Sequence, residues 1–262
     1  MTVSILGCGW YGLEFAKSLV DKWIKIKGST TTPGKLSLLA QYGIAPYKID
    51  LSPDNEIVDL DFFVCDILWI SIPPKTRAGQ GAEYLTKLER LIPYITGNNI
   101  KQVVLISSTG VYGDNNTEVT ELDMPEPDSE SGKILLSAEK LLKAHTEFTT
   151  TIIRFGGLIG PGRDPGGFFA GKKDISNGDA PINLIHLTDC IGVSNAILDK
   201  QAFGQIYNAV SPMHPTRSEF YTAAAIKSGL QEPEFAHEKK SWKIVSTVNV
   251  DRILGYKYQV MI

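Results

Sequence analysis

Short apolar runs rich in β-branched residues alternate with stretches whose apolar residues recur at helical spacing, and this alternation fills the first 155 residues. The run at 2–6 reads as a strand, and Leu13, Ala16, Leu19 and Val20 behind it share one helix face. Residues 23–27 predict a second strand, with Thr32 as N-cap and Pro33 in the first turn of the helix that follows. Residues 46–49 predict a third strand ending at Asp50 and Leu51. The run 67–72, apolar but for Ser71 and closing on Ile72 before Pro73, predicts a fourth that is buried on both faces. A helix carrying Tyr84, Leu85, Leu88, Leu91 and Ile92 comes next, then a strand at 102–106, a helix over 132–144 and a strand at 150–154. Alternation at these intervals predicts an α/β fold: a Rossmann-like, doubly wound parallel sheet with helices on both faces. Ligands in such sheets bind beyond the carboxyl ends of the strands.

After Arg154 the texture changes. Gly156, Gly157, Gly160, Gly162, Gly166 and Gly167, with Pro161 and Pro165, predict a long loop. Beyond it lie a strand at 182–185, a helix over 188–199 and a strand at 205–210. Thr216 and Glu219 have the spacing of a capping box, so a helix runs from there to about Ser228. The remainder offers a short helix at 249–254 and no signal for an independent core. The expected organisation is a nucleotide-type unit over 1–155. Over 156–262, strands that complete the sheet interleave with a small C-terminal substrate cap.

Composition narrows the partners. A chain of 262 residues buries a sizeable core. A net charge of −3 with scattered basic residues argues against nucleic acid and against an anionic membrane surface, which leaves small molecules. No apolar run approaches the roughly 18 residues of a membrane span, and the start lacks the flank and cleavage site of a signal peptide. The expected location is cytoplasmic. Cys8, Cys65 and Cys190 stand alone, with no CxxC and no His/Cys pair at zinc spacing, so they read as reduced thiols and no metal is expected. The Asn115-Asn116-Thr117 sequon then carries no glycosylation meaning.

The chemistry begins where the first strand ends. Gly7-Cys8-Gly9-Trp10-Tyr11-Gly12 joins a strand to a helix. Gly7 suits the tight turn, Gly9 lets backbone approach a pyrophosphate, and Gly12 lets helix pack on strand. The helix start then offers unpaired N–H groups and a positive dipole end to phosphate. Without its context the same pattern would be a plain turn. A site for NAD places an acid about 20 residues past the glycines, where it holds the ribose hydroxyls. Here Gly28-Ser29-Thr30-Thr31-Thr32 and Lys35 supply hydroxyls and a cation and no carboxylate, which favours NADP(H) over NAD(H). The strand-end residues Asp50, Leu51, Ile72, Pro73, Ser107, Phe155 and Gly156 complete the expected cofactor site.

A polar turn, Ser107-Ser108-Thr109-Gly110-Val111-Tyr112-Gly113, stands where the sheet would otherwise bury hydrophobes. With the glycine loop it resembles the extended short-chain dehydrogenase/reductase superfamily, of the NAD-dependent epimerase/dehydratase type that acts largely on nucleotide sugars. Arg154 through Gly162, Asn183 through Asp189, and Tyr207-Asn208-Ala209 resemble further segments of that family in the same order. The resemblance implies a Tyr and, four residues on, a Lys on the helix after strand five, with Ser108 orienting the reacting oxygen. Aligned on Ala138-Glu139, the chain has Ser131 in place of the Tyr and Leu135 in place of the Lys. An alcohol is too weak an acid to replace the phenol unaided, and Lys133 lies about 200° round the helix from Ser131. The resemblance is therefore to an atypical branch.

Tyr112 and His186 are the candidate replacements for proton transfer, each with a structural alternative: a substrate contact for Tyr112 and a hydrogen-bonded junction for His186. Asp189 falls near a helix N-terminus, where its charge suits the dipole. Arg154, Arg163 and Arg217 are candidate clamps for phosphate or carboxylate. The first expected function is an NAD(P)-dependent oxidoreductase or epimerase/dehydratase-like enzyme on a sugar-like or carbonyl/hydroxyl substrate. The alternative is a non-catalytic dinucleotide-binding sensor. The leucine-bearing helix around Leu88 fits either packing on the sheet or a homodimer contact.

Overall fold

The computed structural model describes the chain except residues 21, 23, 53, 75–78 and 80. In chain order it runs β1 (Thr2–Leu6), α1 (Trp10–Val20), β2 (Lys25–Thr30), α2 (Leu36–Gln41) and β3 (Ala45–Lys48), then a hairpin of β4 (Asp50–Ser52) and β5 (Asn55–Ile57). There follow β6 (Ile67–Ile70), α3 (Gly81–Gly97), β7 (Gln102–Ser108), β8 (Thr117–Val119), α4 (Glu130–Lys143), β9 (Thr149–Phe155) and β10 (Gly157–Ile159). The last elements are β11 (Leu184–His186), α5 (Leu187–Asp199), β12 (Ile206–Ala209), α6 (Arg217–Lys227) and β13 (Lys243–Val245). Seven strands make one parallel sheet in the order β12-β9-β7-β6-β1-β2-β3. The chain winds outward from β1 to β3, then returns to lay β6 on the other flank of β1. That reversal puts a topological switch point between β1 and β6, where doubly wound sheets open their ligand crevice.

The apolar positions divide between the two faces of the sheet. On one face Phe15 and Leu19 of α1 and Val193 and Ile197 of α5 pack on Ile5, Trp69, Val104 and Ile153. On the other, Tyr84, Leu88 and Leu91 of α3 and Leu135 and Leu142 of α4 pack on Leu68, Ile70, Val103 and Leu105. The leucine stripe of α3 is therefore used against the sheet, the first of its two expected uses. Among the described residues no helix is long and apolar enough to cross a membrane.

Several elements depart from the sequence reading, each for a local reason. The second strand runs three residues further than 23–27, to Thr30, because its pairing with β3 carries on through Ser29 and Thr30; Trp23 lies outside the described residues. Thr32 precedes a 3-10 turn (Pro33–Lys35) and makes no side-chain capping bond. Asp50 and Leu51 open the β4–β5 hairpin and do not end β3. The fourth strand stops at Ile70, and Ser71 and Ile72 follow it at the edge of the crevice. The glycine-rich stretch is not wholly loop: β10 lies in it, paired in parallel with β11. β13 pairs with β8, also without a sequence signal. The capping box at Thr216 and Glu219 forms as expected.

Asp189 does more than sit in the first turn of α5. It is 1% exposed, and its carboxylate accepts hydrogen bonds from the Tyr256 hydroxyl (2.8 Å), Gln259 N (2.7 Å) and Val260 N (3.1 Å). One buried carboxylate thus holds the C-terminal segment against the start of α5. Removing it leaves three donors unpaired, so Asp189→Ala is expected to lower stability by about 2–3 kcal/mol, read as a reduced urea midpoint.

Candidate dinucleotide site

The turn after β1 is fixed from three sides. Gly7 has φ +99°, which a side chain would strain. Its N–H donates to Ser29 Oγ (2.9 Å), Cys8 N donates to Ser29 O (2.8 Å), and Ser71 Oγ donates to Gly7 O (2.7 Å). Ser29 from β2 and Ser71 from the end of β6 therefore lock the loop from either flank of β1. A Cβ on Gly12 would strike Gly7 O and come within 2.7 Å of Ser71 Oγ, whereas a Cβ on Gly9 would meet nothing within 4 Å. The first glycine shapes the turn, the third seats the helix against it, and the middle one faces open space. Cys8 lines this space too, but burial pushes its thiol up to about 12, so it is inert near neutrality.

Ten of the expected cofactor residues line a single cleft over the switch point: Gly7, Gly9, Ser29, Thr30, Thr31, Lys35, Asp50, Leu51, Ile72 and Pro73. Thr31 and Lys35 are exposed. Asp50 accepts from Ser52 N (3.0 Å) and Ser52 Oγ (2.7 Å). The sequence reading missed Ser71, Pro74, Tyr84 and Lys87 on the opposite wall. Their signal was the helix that follows β6 across the switch point, whose first turns must border the crevice.

The other six expected cofactor residues lie behind or beside the cleft. Gly12 seats α1. Tyr11 is buried, stacked on Phe15 with its hydroxyl 2.6 Å from Ser194 Oγ, and Phe155 meets its ring edge-on. Ser107 Oγ donates to Glu139 Oε1 (2.6 Å). Gly156 lets β11 pass, since a Cβ there would lie 2.9 Å from Asn183 O. Trp10 turns outward, and its indole N–H donates to Pro161 O (2.6 Å).

None of the three catalytic candidates lines the cleft. Ser108 Oγ accepts from Gly110 N (3.1 Å) and starts the short turn after β7. Tyr112 is 1% exposed, with its hydroxyl within reach of Thr120 O (2.8 Å) and Asn208 Oδ1 (3.1 Å) while accepting from Arg154 Nη1 (2.6 Å). Burial raises that phenol's pKa against the opposing pull of Arg154. His186 Nδ1 accepts from Thr188 N (3.2 Å) and caps α5. Leu135, at the position of the family's lysine, is buried among the leucines of α3 and α4. The buried charge nearby is the pair Arg154–Glu139, bidentate at 3.0 and 2.6 Å with both side chains 3% exposed or less. Arg154 is thus held inside the protein and does not serve as an open clamp.

No protein-family model matches the chain. It is 36% identical over 263 residues to Protein YeeZ of Escherichia coli K12, which covers 98% of this chain and 95% of that protein. Among solved structures, a conserved protein from Silicibacter pomeroyi described as functionally unknown superposes with TM-score 0.81 at 22% identity, covering 99% of this chain and 94% of the other. MoeE5 in complex with UDP-glucose and NAD gives TM-score 0.79 at 18% identity, covering 100% and 94%. UDP-glucose 4-epimerase of Thermotoga maritima with UDP-glucose gives TM-score 0.79 at 14% identity, again covering 100% and 94%. The chain therefore belongs to the family of Protein YeeZ and carries the fold of the extended short-chain dehydrogenase/reductase superfamily.

Proposed function

We propose that the chain binds a nicotinamide dinucleotide in the switch-point cleft. It acts there as an NAD(P)-dependent oxidoreductase or epimerase/dehydratase-like enzyme on a sugar-like or carbonyl/hydroxyl substrate. The observation that carries this reading is the cleft itself, in which a rigid glycine turn, the hydroxyls at the end of β2, the start of β4 and the turn after β6 meet. Gly9 leaves open the cradle that a diphosphate needs, so the residues fit the group. The start of α1 would bind the diphosphate, Thr31 and Lys35 a 2′-phosphate, and Ser108 would orient the reacting oxygen. When bound, the nicotinamide supplies hydride transfer. Residues 1–155 form the nucleotide-holding part in this reading, and 156–262 complete the sheet and cap the substrate. The names of the structural neighbours, with UDP-glucose and NAD, support a nucleotide sugar as substrate class.

The protein is expected to bind NADPH more tightly than NADH, because no carboxylate stands after β2 to repel a 2′-phosphate. Lys35→Gln is expected to shrink that preference about fivefold, measured by fluorescence titration. Tighter binding of NADH would overturn the assignment.

A second reading is favoured by one set of contacts. Tyr112 and His186 hold the fold with the atoms that chemistry would need, and Leu135 fills the lysine's place. That arrangement suits a dinucleotide-binding sensor without turnover. Absorbance at 340 nm with a panel of nucleotide sugars and carbonyl compounds separates the two. Substrate-dependent change, reduced in Ser108→Ala, supports the enzyme; tight binding with no change across the panel supports the sensor.

A further inference from the structure

Of the three arginines that the sequence marks as anion clamps, two have other surroundings. Arg154 is locked to Glu139, and the Arg217 guanidinium lies 5.2 Å from the Phe169 ring at the start of α6. The Arg163 guanidinium lies 4.4 Å from the ring of Trp10, the first residue of α1, directly after Gly9. A closed turn presents it: Arg163 N donates to Gly160 O (2.8 Å), Gly160 N donates to Arg163 O (3.3 Å), and Gly162 takes φ +74° between them. The Trp10 indole bond to Pro161 O (2.6 Å) ties that turn to the glycine loop.

Its electrostatic setting is unusual. Arg163 is exposed, and among the described residues no carboxylate pairs with it. The ring on which it stacks belongs to the first residue of α1, whose first turn has no acidic residue. A cation beside a helix N-terminus is disfavoured in the empty protein, and an anion between the two satisfies both. Stacking on an indole face fixes the guanidinium plane while leaving its edge donors free for paired phosphate oxygens.

We propose that Arg163, stacked on Trp10, clamps the diphosphate of a dinucleotide bound at the glycine loop. The proposal rests on the dinucleotide reading above and adds a specific residue from the second half of the chain to it. The turn that carries Arg163 leads on from β10, so cofactor binding and the ordering of the cap side are joined through one side chain. A nucleotide-sugar substrate also carries a diphosphate, and the test separates that source.

The experiment is calorimetric titration of the full-length protein and of Arg163→Gln with NADPH, NADH, ADP-ribose, adenosine and UDP-glucose. The loss of one charge-assisted contact is expected to weaken NADPH, NADH and ADP-ribose alike by about tenfold, and to leave adenosine unchanged. The deficit is expected to shrink at high salt. Trp10→Phe keeps an aromatic platform but loses the Pro161 bond, and is expected to weaken the same three ligands about threefold. Unchanged affinities in Arg163→Gln, with wild-type protein binding NADPH, would overturn the clamp alone. A loss confined to UDP-glucose would also overturn it, by moving Arg163 to the substrate. Failure of the wild-type protein to bind any dinucleotide would overturn the reading on which it rests.

Discussion

Arg154→Met is expected to destabilise the protein by about 3–5 kcal/mol, the largest loss from a single side chain outside the apolar core. Arg154 and Glu139 are both buried, and each completes the other's hydrogen bonds. Burial lowers the guanidinium's pKa, and Glu139 more than offsets this, leaving it raised. Taking the arginine away strands a carboxylate for which, among the described residues, only Ser107 Oγ remains as donor, and removes the Nη1 donor from the Tyr112 hydroxyl. The cost comes from the stranded charge more than from any net worth of the pair. The double variant Arg154→Met, Glu139→Leu is accordingly expected to recover at least half of the loss. Urea unfolding of the two single variants and the double variant checks this as a double-mutant cycle. A single-variant loss below about 1 kcal/mol, or no recovery in the double variant, would contradict the account.

The same network shows what sequence can and cannot disclose. The glycine loop was legible because Gly7, Gly9 and Gly12 act within six residues, under constraints of backbone geometry alone. The parallel sheet was legible because strands buried on both faces are continuous apolar runs. β10 and β13 were not, since each is three residues long and draws its stability from a partner strand distant in sequence. Tyr112 reads as a phenol at a cleft mouth until Arg154 and Asn208 are seen to surround it. A trace of that outcome is present in the chain: Arg154 stands between the apolar Ile152-Ile153 and Phe155, and Glu139 shares a helix face with Leu135 and Leu142. Two opposite charges at positions patterned for burial imply a pair. Long-range coupling of this kind settles roles that local pattern leaves open, which is why ten of the sixteen expected cofactor residues gathered in one cleft and the catalytic candidates did not.

Gly12 and Gly9 offer a test in which folding and binding separate. Gly12→Ala is expected to damage both, because its Cβ would drive into Gly7 O and Ser71 Oγ and prise α1 from the turn. Gly9→Ala is expected to leave the melting temperature within about 2 °C of wild type, since the new methyl meets no protein atom within 4 Å. If backbone at Gly9 is where a pyrophosphate comes to rest, that methyl instead occupies the ligand's place, and NADPH affinity is expected to fall at least about 30-fold. Thermal melts and titrations on both variants give the four values needed. A plain structural turn at this position predicts that Gly9→Ala changes neither. The glycine whose substitution costs the fold least should therefore cost the ligand most, and that inversion distinguishes a surface shaped by what it binds from one shaped by what it packs against.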